Sequence, residues 1–131
     1  MKNKNWFITA FLLCGLAVGL GAFGAHGLKT LVAPLQIETF KTGVQYHFYH
    51  AFAIALAALV SQFTDSVYVR RAMRLFLAGI VCFSGSLYGL TFAELTSTEG
   101  VRWIGAITPI GGVLFMLGWG QLVRAIYNIE K

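Results

Sequence analysis

The uncharged runs of this chain constrain its fold more than any other feature of the sequence. Charged residues bound four uncharged runs, which place predicted spans at about residues 6–28, 43–64, 75–94 and 103–123, the third ending at Glu94. A helix that rises about 1.5 Å per residue needs about 20 residues to cross a hydrocarbon layer about 30 Å thick. Since lipid offers no hydrogen bonds to the backbone, each run must be helical to satisfy its own peptide groups. The sequence therefore predicts four transmembrane helices.

The composition excludes a soluble protein. Hydrophobic residues make up 57% of the chain and charged residues 11%, whereas soluble domains average about 45–50% and about 25%. We therefore predict an all-α membrane protein with a single four-helix transmembrane domain over residues 1–131. The four runs leave no soluble domain to carry conventional catalytic machinery, so we expect no enzymatic activity and no cofactor. No basic patch is interleaved with base-stacking aromatic residues, so we expect no binding of nucleic acid.

The distribution of lysine and arginine predicts the orientation in the cell membrane, that is, the inner or plasma membrane. With four spans, both termini and the middle loop share one side, which holds seven basic residues: Lys2, Lys4, Arg70, Arg71, Arg74, Arg124 and Lys131. The other side holds three, which are Lys29, Lys41 and Arg102. Because cytoplasmic loops carry the excess of positive charge, both termini are predicted to be cytoplasmic.

The loops differ in length. Residues 65–74 and 94–102 form short loops, which make consecutive spans antiparallel neighbours in an up-down bundle. The first outer loop, residues 29–43, is longer and contains Pro34, a residue that favours the first turn of a helix. Apolar and polar residues alternate after Pro34, so we expect a short interfacial helix lying on the outer membrane surface.

Polar side chains concentrate in the predicted outer half of the bundle. The candidate pocket residues are His26, Tyr46, His47, His50, Ser84, Tyr88, Thr91 and Thr108. Polar groups within lipid are costly and usually have partners, so we expect these residues to meet in one layer. His47 and His50 are three residues apart and share a helix face. Pro109 is expected to free the carbonyl of Gly105 and to kink the fourth span.

Three interpretations of this layer stay open. The side chains could form a hydrogen-bond network that fixes the register of the helices. They could instead form a site for a small ligand or a proton path, since histidine titrates near neutral pH. A metal or haem site is a third interpretation, but no cysteine or histidine repeats at metal-ligand spacing, so no metal site is predicted.

The 15 glycines indicate close helix packing. Small residues four apart, such as Gly15 and Gly19 or Gly85 and Gly89, let helix backbones approach one another in lipid. Tight packing within one chain and self-association of several chains both agree with this pattern.

Four segments resemble one known family. They are GAFGAH at residues 21–26, TGVQY at residues 42–46 together with His50, FSGSLY at residues 83–88, and TPIGG at residues 108–112. In this order they resemble the signature segments of the YgdD/YwdK-like family of small membrane proteins, which includes the animal transmembrane protein 256. The resemblance implies four spans and no established activity. It also singles out seven residues of the signature segments: His26, Tyr46, His50, Ser84, Tyr88, Thr108 and Pro109.

Two functional hypotheses follow. The first is a non-enzymatic structural or accessory membrane protein whose partners are the lipid bilayer and either further copies of itself or a larger membrane complex. The alternative is a small transporter, or a membrane protein that binds a ligand or lipid, using the polar pocket in the outer half of the bundle.

Overall fold

The computed structural model describes residues 1–128, with residue 102 described by its backbone alone. The described residues form helices and connecting turns without strands. The α-helices are α1 (Lys4–His26), α2 (Pro34–Val60), α3 (Val67–Gly79), α4 (Gly85–Leu95) and α5 (Ile107–Tyr127). A π-helical turn, Ile80–Ser84, joins α3 to α4, and 3-10 turns occupy Leu28–Thr30 and Arg102–Ala106.

Four helices are long and apolar enough to cross a membrane, which confirms the predicted all-α class with four spans. They cover Lys4–Thr30, Pro34–Val60, Val67–Leu95 and Trp103–Tyr127. The third, called span 3 below, combines α3, the π turn and α4. It begins eight residues before the predicted boundary at residue 75, because Ser66 caps it: the Ser66 hydroxyl accepts a hydrogen bond from the Tyr68 N–H at 3.2 Å.

The prediction of a separate interfacial helix in the first outer loop is wrong. Pro34 starts α2, and the helix continues without a break to Val60. Ile37 and Phe40 are buried, so the apolar side of this segment packs on the rest of the protein instead of lying on the membrane surface. The Phe40 ring, for example, lies 5.1 Å from the Tyr88 ring between centroids. Residues 34–42 are the N-terminal end of the second span.

Pro109, which was expected to kink the fourth span, lies at the start of α5 instead of in its interior. The 3-10 turn Arg102–Ala106 ends just before α5 starts at Ile107, which places Pro109 in the first turn of α5. Backbone N–H groups in the first turn of a helix have no partner within that helix, so a proline there breaks no α-helical bond.

Consecutive helices pack side by side in sequence order. Close backbone contacts join α1 to α2, α2 to span 3, and span 3 to α5. Among the described residues, α2 and α5 have almost no close backbone contact, and only side chains connect them. At the end of the bundle that holds the N-terminus, the ammonium of Lys2 lies 3.1 Å from the carboxylate of Asp65.

Glycines allow span 3 and α5 to approach closely. A Cβ on Gly118 would lie 2.6 Å from the Phe76 ring, so that ring occupies the space of the absent side chain. A Cβ on Gly111 would overlap the backbone nitrogen of Phe83 and lie 2.7 Å from its Cα. These small residues therefore serve packing within the chain, in agreement with one of the two interpretations of the glycine pattern.

Candidate functional site

His50 lies where α2 faces α5, and both of its ring nitrogens have partners. Nδ1 lies 2.8 Å from the carbonyl oxygen of Tyr46. Because a carbonyl only accepts, Nδ1 carries the proton and Nε2 of the neutral ring is an acceptor. The indole N–H of Trp119 donates to Nε2 at 3.3 Å. One imidazole thus links a backbone carbonyl of α2 to a side chain of α5.

Aromatic rings surround His50. The imidazole stacks on the Phe115 ring with 3.4 Å between centroids and 8° between planes. The Phe76 ring of span 3 lies 5.6 Å from the imidazole and 5.0 Å from the Trp119 indole. Together with Tyr46 and Phe83, whose rings are 4.7 Å apart, these residues form what we call the His50 cluster. The cluster supplies the contact between α2 and α5 that their backbones lack.

An open cleft of about 580 Å³ lies between α2 and α5 beside the His50 cluster. Its lining residues are Tyr46, His50, Phe83, Pro109, Gly112, Val113, Phe115, Met116 and Trp119. A second apolar groove, of about 630 Å³, shares Trp119 with it and continues along α2 and α5. The second groove is lined by Leu56, Val60, Trp119, Leu122, Val123, Ile126 and Tyr127. Volumes of this size are typical of sites for small molecules.

His47 belongs to a separate pair in the interior. Its side chain is 2% exposed. Nδ1 lies 3.1 Å from the hydroxyl of Tyr88, while Nε2 is buried without a partner among the described residues. The hydroxyl of Ser84, in the π turn, is likewise buried without such a partner.

The remaining predicted residues lie in further, separate contacts. The hydroxyls of Thr108 and Ser86 are 2.6 Å apart and join α5 to α4. Thr91 donates to the Leu87 carbonyl at 3.0 Å, within its own helix. His26, the last residue of α1, is exposed, and its side chain forms no hydrogen bond with any described residue.

The structure therefore brings most of the predicted residues inward but not into one layer. His26 is exposed, and the Tyr46 ring is partly exposed beside the cleft. The other predicted residues lie in separate contacts, apart from Ser84, whose hydroxyl has no partner among the described residues. Sequence reasoning missed Phe115, Trp119 and Ser86 as members of these contacts. For Trp119, the available signal was its indole N–H, a donor that usually has an acceptor when it is removed from water.

The residues of the cleft indicate which kinds of molecule it could bind. Within residues 1–128, no three His, Cys, Asp or Glu side chains are close enough to hold a metal ion. The cleft offers aromatic and aliphatic walls together with an imidazole whose two nitrogens are already engaged. Such a surface suits an apolar chain better than a charged molecule.

Comparison with known proteins identifies relatives over nearly the whole chain. The family described as "Protein of unknown function (DUF423)" matches residues 20–112. The UPF0382 membrane protein YwdK of Bacillus subtilis is 44% identical over 123 residues, which cover 93% of this chain and 95% of that protein. A UPF0382 membrane protein of Haemophilus influenzae is 41% identical over 132 residues, covering 100% of this chain and 99% of its own length.

A third relative, the UPF0382 membrane protein SAB0533 of Staphylococcus aureus, is 39% identical over 95% of this chain and 97% of its own length. No solved structure matches the chain significantly. The relatives carry no enzymatic name, and no specific activity is known for the family. With 39–44% identity over nearly full length and four apolar helices of membrane-spanning length, the chain belongs to the DUF423 (UPF0382) family of uncharacterised membrane proteins.

Proposed function

We propose that this protein is a non-enzymatic membrane protein that binds an apolar ligand, a lipid acyl chain, in the cleft between α2 and α5. The observation that carries the proposal is that these two spans are held apart by the rings of the His50 cluster instead of packing together. Helices in lipid gain stability from close packing, so a cleft maintained along two spans is a costly arrangement.

The walls of the cleft favour an acyl chain. Val113 and Met116 are exposed aliphatic side chains on α5, and Tyr46 contributes an exposed ring from α2. Gly112 adds no side chain of its own, which leaves the middle of the cleft open. A methylene chain would contact these surfaces without displacing either hydrogen bond of the His50 ring.

Photochemical labelling tests this function. We expect phosphatidylcholine with a diazirine in its acyl chain to label Met116 in reconstituted protein, and unlabelled phosphatidylcholine to compete. Gly112→Leu places a side chain in the cleft, where the nearest atom to the new Cβ is Phe83 Cδ2 at 4.0 Å. Labelling of Met116, relative to the exposed Leu12 of α1, should then fall roughly fivefold, as measured by mass spectrometry of peptides.

Gly120→Leu is the matched control, since Gly120 lies on α5 outside the cleft and faces open space. It should leave labelling at Met116 unchanged. Equal, unsaturable labelling of Met116 and Leu12 would mean that Met116 contacts only bulk lipid, and the proposal would then be abandoned.

The proposed orientation keeps both termini in the cytoplasm and places the protein in the cell membrane. Six of the seven basic residues counted for that side lie within the described residues; Lys131 lies outside them.

In a background without Cys14 and Cys82, we expect an impermeant maleimide added to intact cells to label Glu99→Cys within minutes. Asn5→Cys should react only after the membrane is opened, because the excess of positive charge stays inside. The reverse pattern would invert the orientation.

Self-association also remains a prediction. On α1, Gly15 and Gly19 have no atom of another residue near the position of a Cβ, so this pair is not used for packing within the chain. Paired small residues of this spacing support helix dimers in lipid. The mass of the protein in nanodiscs, with and without Gly15→Leu, tests this hypothesis separately from ligand binding.

A further inference from the structure

Two arginines from different spans lie near one tyrosine ring, and none of these three residues lines the cleft beside the His50 cluster. The guanidinium carbon of Arg124 on α5 lies 4.8 Å from the centroid of the Tyr68 ring on α3. The guanidinium carbon of Arg71, also on α3, lies 6.0 Å from the same centroid. Cations within about 6 Å of an aromatic face are attracted by its quadrupole, so the ring holds both side chains near one place.

No acidic side chain among residues 1–128 neutralises this pair. The ion pairs of the described residues are Lys2 with Asp65 and Lys41 with Glu38. Arg70, which neighbours Arg71, differs because its Nη1 donates to the Asp65 carbonyl at 2.9 Å. Two positive charges held at one ring without a counter-charge repel each other, and an anion within reach of both would reduce that repulsion.

The position of the pair indicates which anion is available. Arg71 lies just before the uncharged run of span 3, and Arg124 directly follows the uncharged run that ends at residue 123. The ends of such runs lie at the level of the lipid headgroups. Phosphodiester groups of lipids are present there at high density, and guanidinium groups bind phosphate through paired N–H donors.

We propose that Arg71 and Arg124, positioned by Tyr68, form a binding site for the phosphate of an anionic phospholipid. The Tyr68 ring contacts the guanidinium groups through its face, so their N–H donors remain available for phosphate oxygens. This site shares no residue with the cleft between α2 and α5 and does not depend on the function proposed for that cleft.

Thermal unfolding in detergent, titrated with lipid, tests the proposal. We expect phosphatidylglycerol to raise the unfolding temperature in a saturable manner, since a ligand that binds only the folded state stabilises it. Phosphatidylcholine and inorganic phosphate at equal concentration should have little effect. Arg71→Gln and Arg124→Gln should each weaken the apparent affinity for phosphatidylglycerol roughly fivefold.

Two further variants separate a defined site from diffuse surface charge. Arg74→Gln removes the same charge from an exposed position one turn along α3 that does not contact Tyr68, and it should preserve the affinity. Tyr68→Leu should weaken binding although the net charge is unchanged, while Tyr68→Phe should retain it because the ring persists.

The proposal would be overturned by any of three results. Equal losses from Arg74→Gln and Arg71→Gln would indicate general electrostatic attraction. Equal stabilisation by phosphatidylcholine would show that the anionic headgroup is irrelevant. Full stabilisation by inorganic phosphate would assign the pair to a free anion instead of a lipid.

Discussion

Replacing Gly111 by alanine is expected to destabilise this protein by about 2–3 kcal/mol, an effect typical of severe overpacking. A Cβ at this position would overlap the backbone nitrogen of Phe83 and lie 2.6 Å from its Cβ. A flexible side chain could rotate away, but the backbone of Phe83 belongs to the π turn of span 3 and cannot. One helix must therefore move, which separates α5 from span 3 along their whole contact. Thermal unfolding in detergent measures the loss.

Gly112→Ala is the matched control for Gly111→Ala. The two positions are adjacent on α5, and both substitutions gain the same helix propensity. The nearest atom to a Cβ on Gly112, however, is 4.0 Å away, an ordinary van der Waals contact. We expect an unfolding temperature at or slightly above that of the parent. Equal stability of the two variants would show that span 3 and α5 are farther apart than the structure describes.

Removal of the His50 ring is the second change that we expect to lower the stability of the protein strongly. His50 is 5% exposed and stacks on Phe115. His50→Ala would leave a space of ring size and deprive the Trp119 indole of its acceptor. Truncation of large buried rings to alanine typically costs about 3–5 kcal/mol, and we expect about 3 kcal/mol here because the site borders the open cleft. Chemical unfolding in detergent measures the change in the free energy of unfolding.

His50→Phe separates the contribution of stacking from that of the hydrogen bonds. It keeps an aromatic ring against Phe115 but forms neither the bond to the Tyr46 carbonyl nor the bond from Trp119. Hydrogen bonds between membrane helices average about 0.6 kcal/mol, so this variant should lose about 1 kcal/mol or less. If phenylalanine were as harmful as alanine, the polar contacts would dominate, and our description of the cluster as mainly a stacking contact would be wrong.

The four spans could be predicted because one physical requirement determines them. Helices that cross lipid must be long and free of uncompensated charge, and both properties are readable along the chain. The helix ends were harder to predict, since a helix does not have to stop where the membrane stops. Ser66 caps span 3 ahead of three arginines, and Pro34 starts α2 well outside its uncharged run. These local signals extend helices into polar surroundings.

The polar residues were identified singly, but their partners were not. Which side chains meet depends on the order, rotation and height of the helices, and these are set by contacts such as Gly43 against Tyr88, where a Cβ would lie 2.9 Å from the ring. His26 was grouped with the others by depth alone, yet it ends α1 on the exposed side. Trp119 was not among the predicted site residues, yet its indole N–H donates to His50 Nε2. The depth of a residue in the membrane can be read from the sequence more readily than the neighbour that its side chain faces.

The π turn at Ile80–Ser84 has a geometric consequence for span 3. One residue beyond the α-helical repeat turns everything that follows by about 100° around the helix axis. The half before the turn accordingly packs mainly on α5, through Phe76 and Gly79, while the half after it offers Tyr88 and Thr91 to α2. Span 3 can thereby hold two different neighbours along its length, and α4 is left with few close backbone contacts to α5.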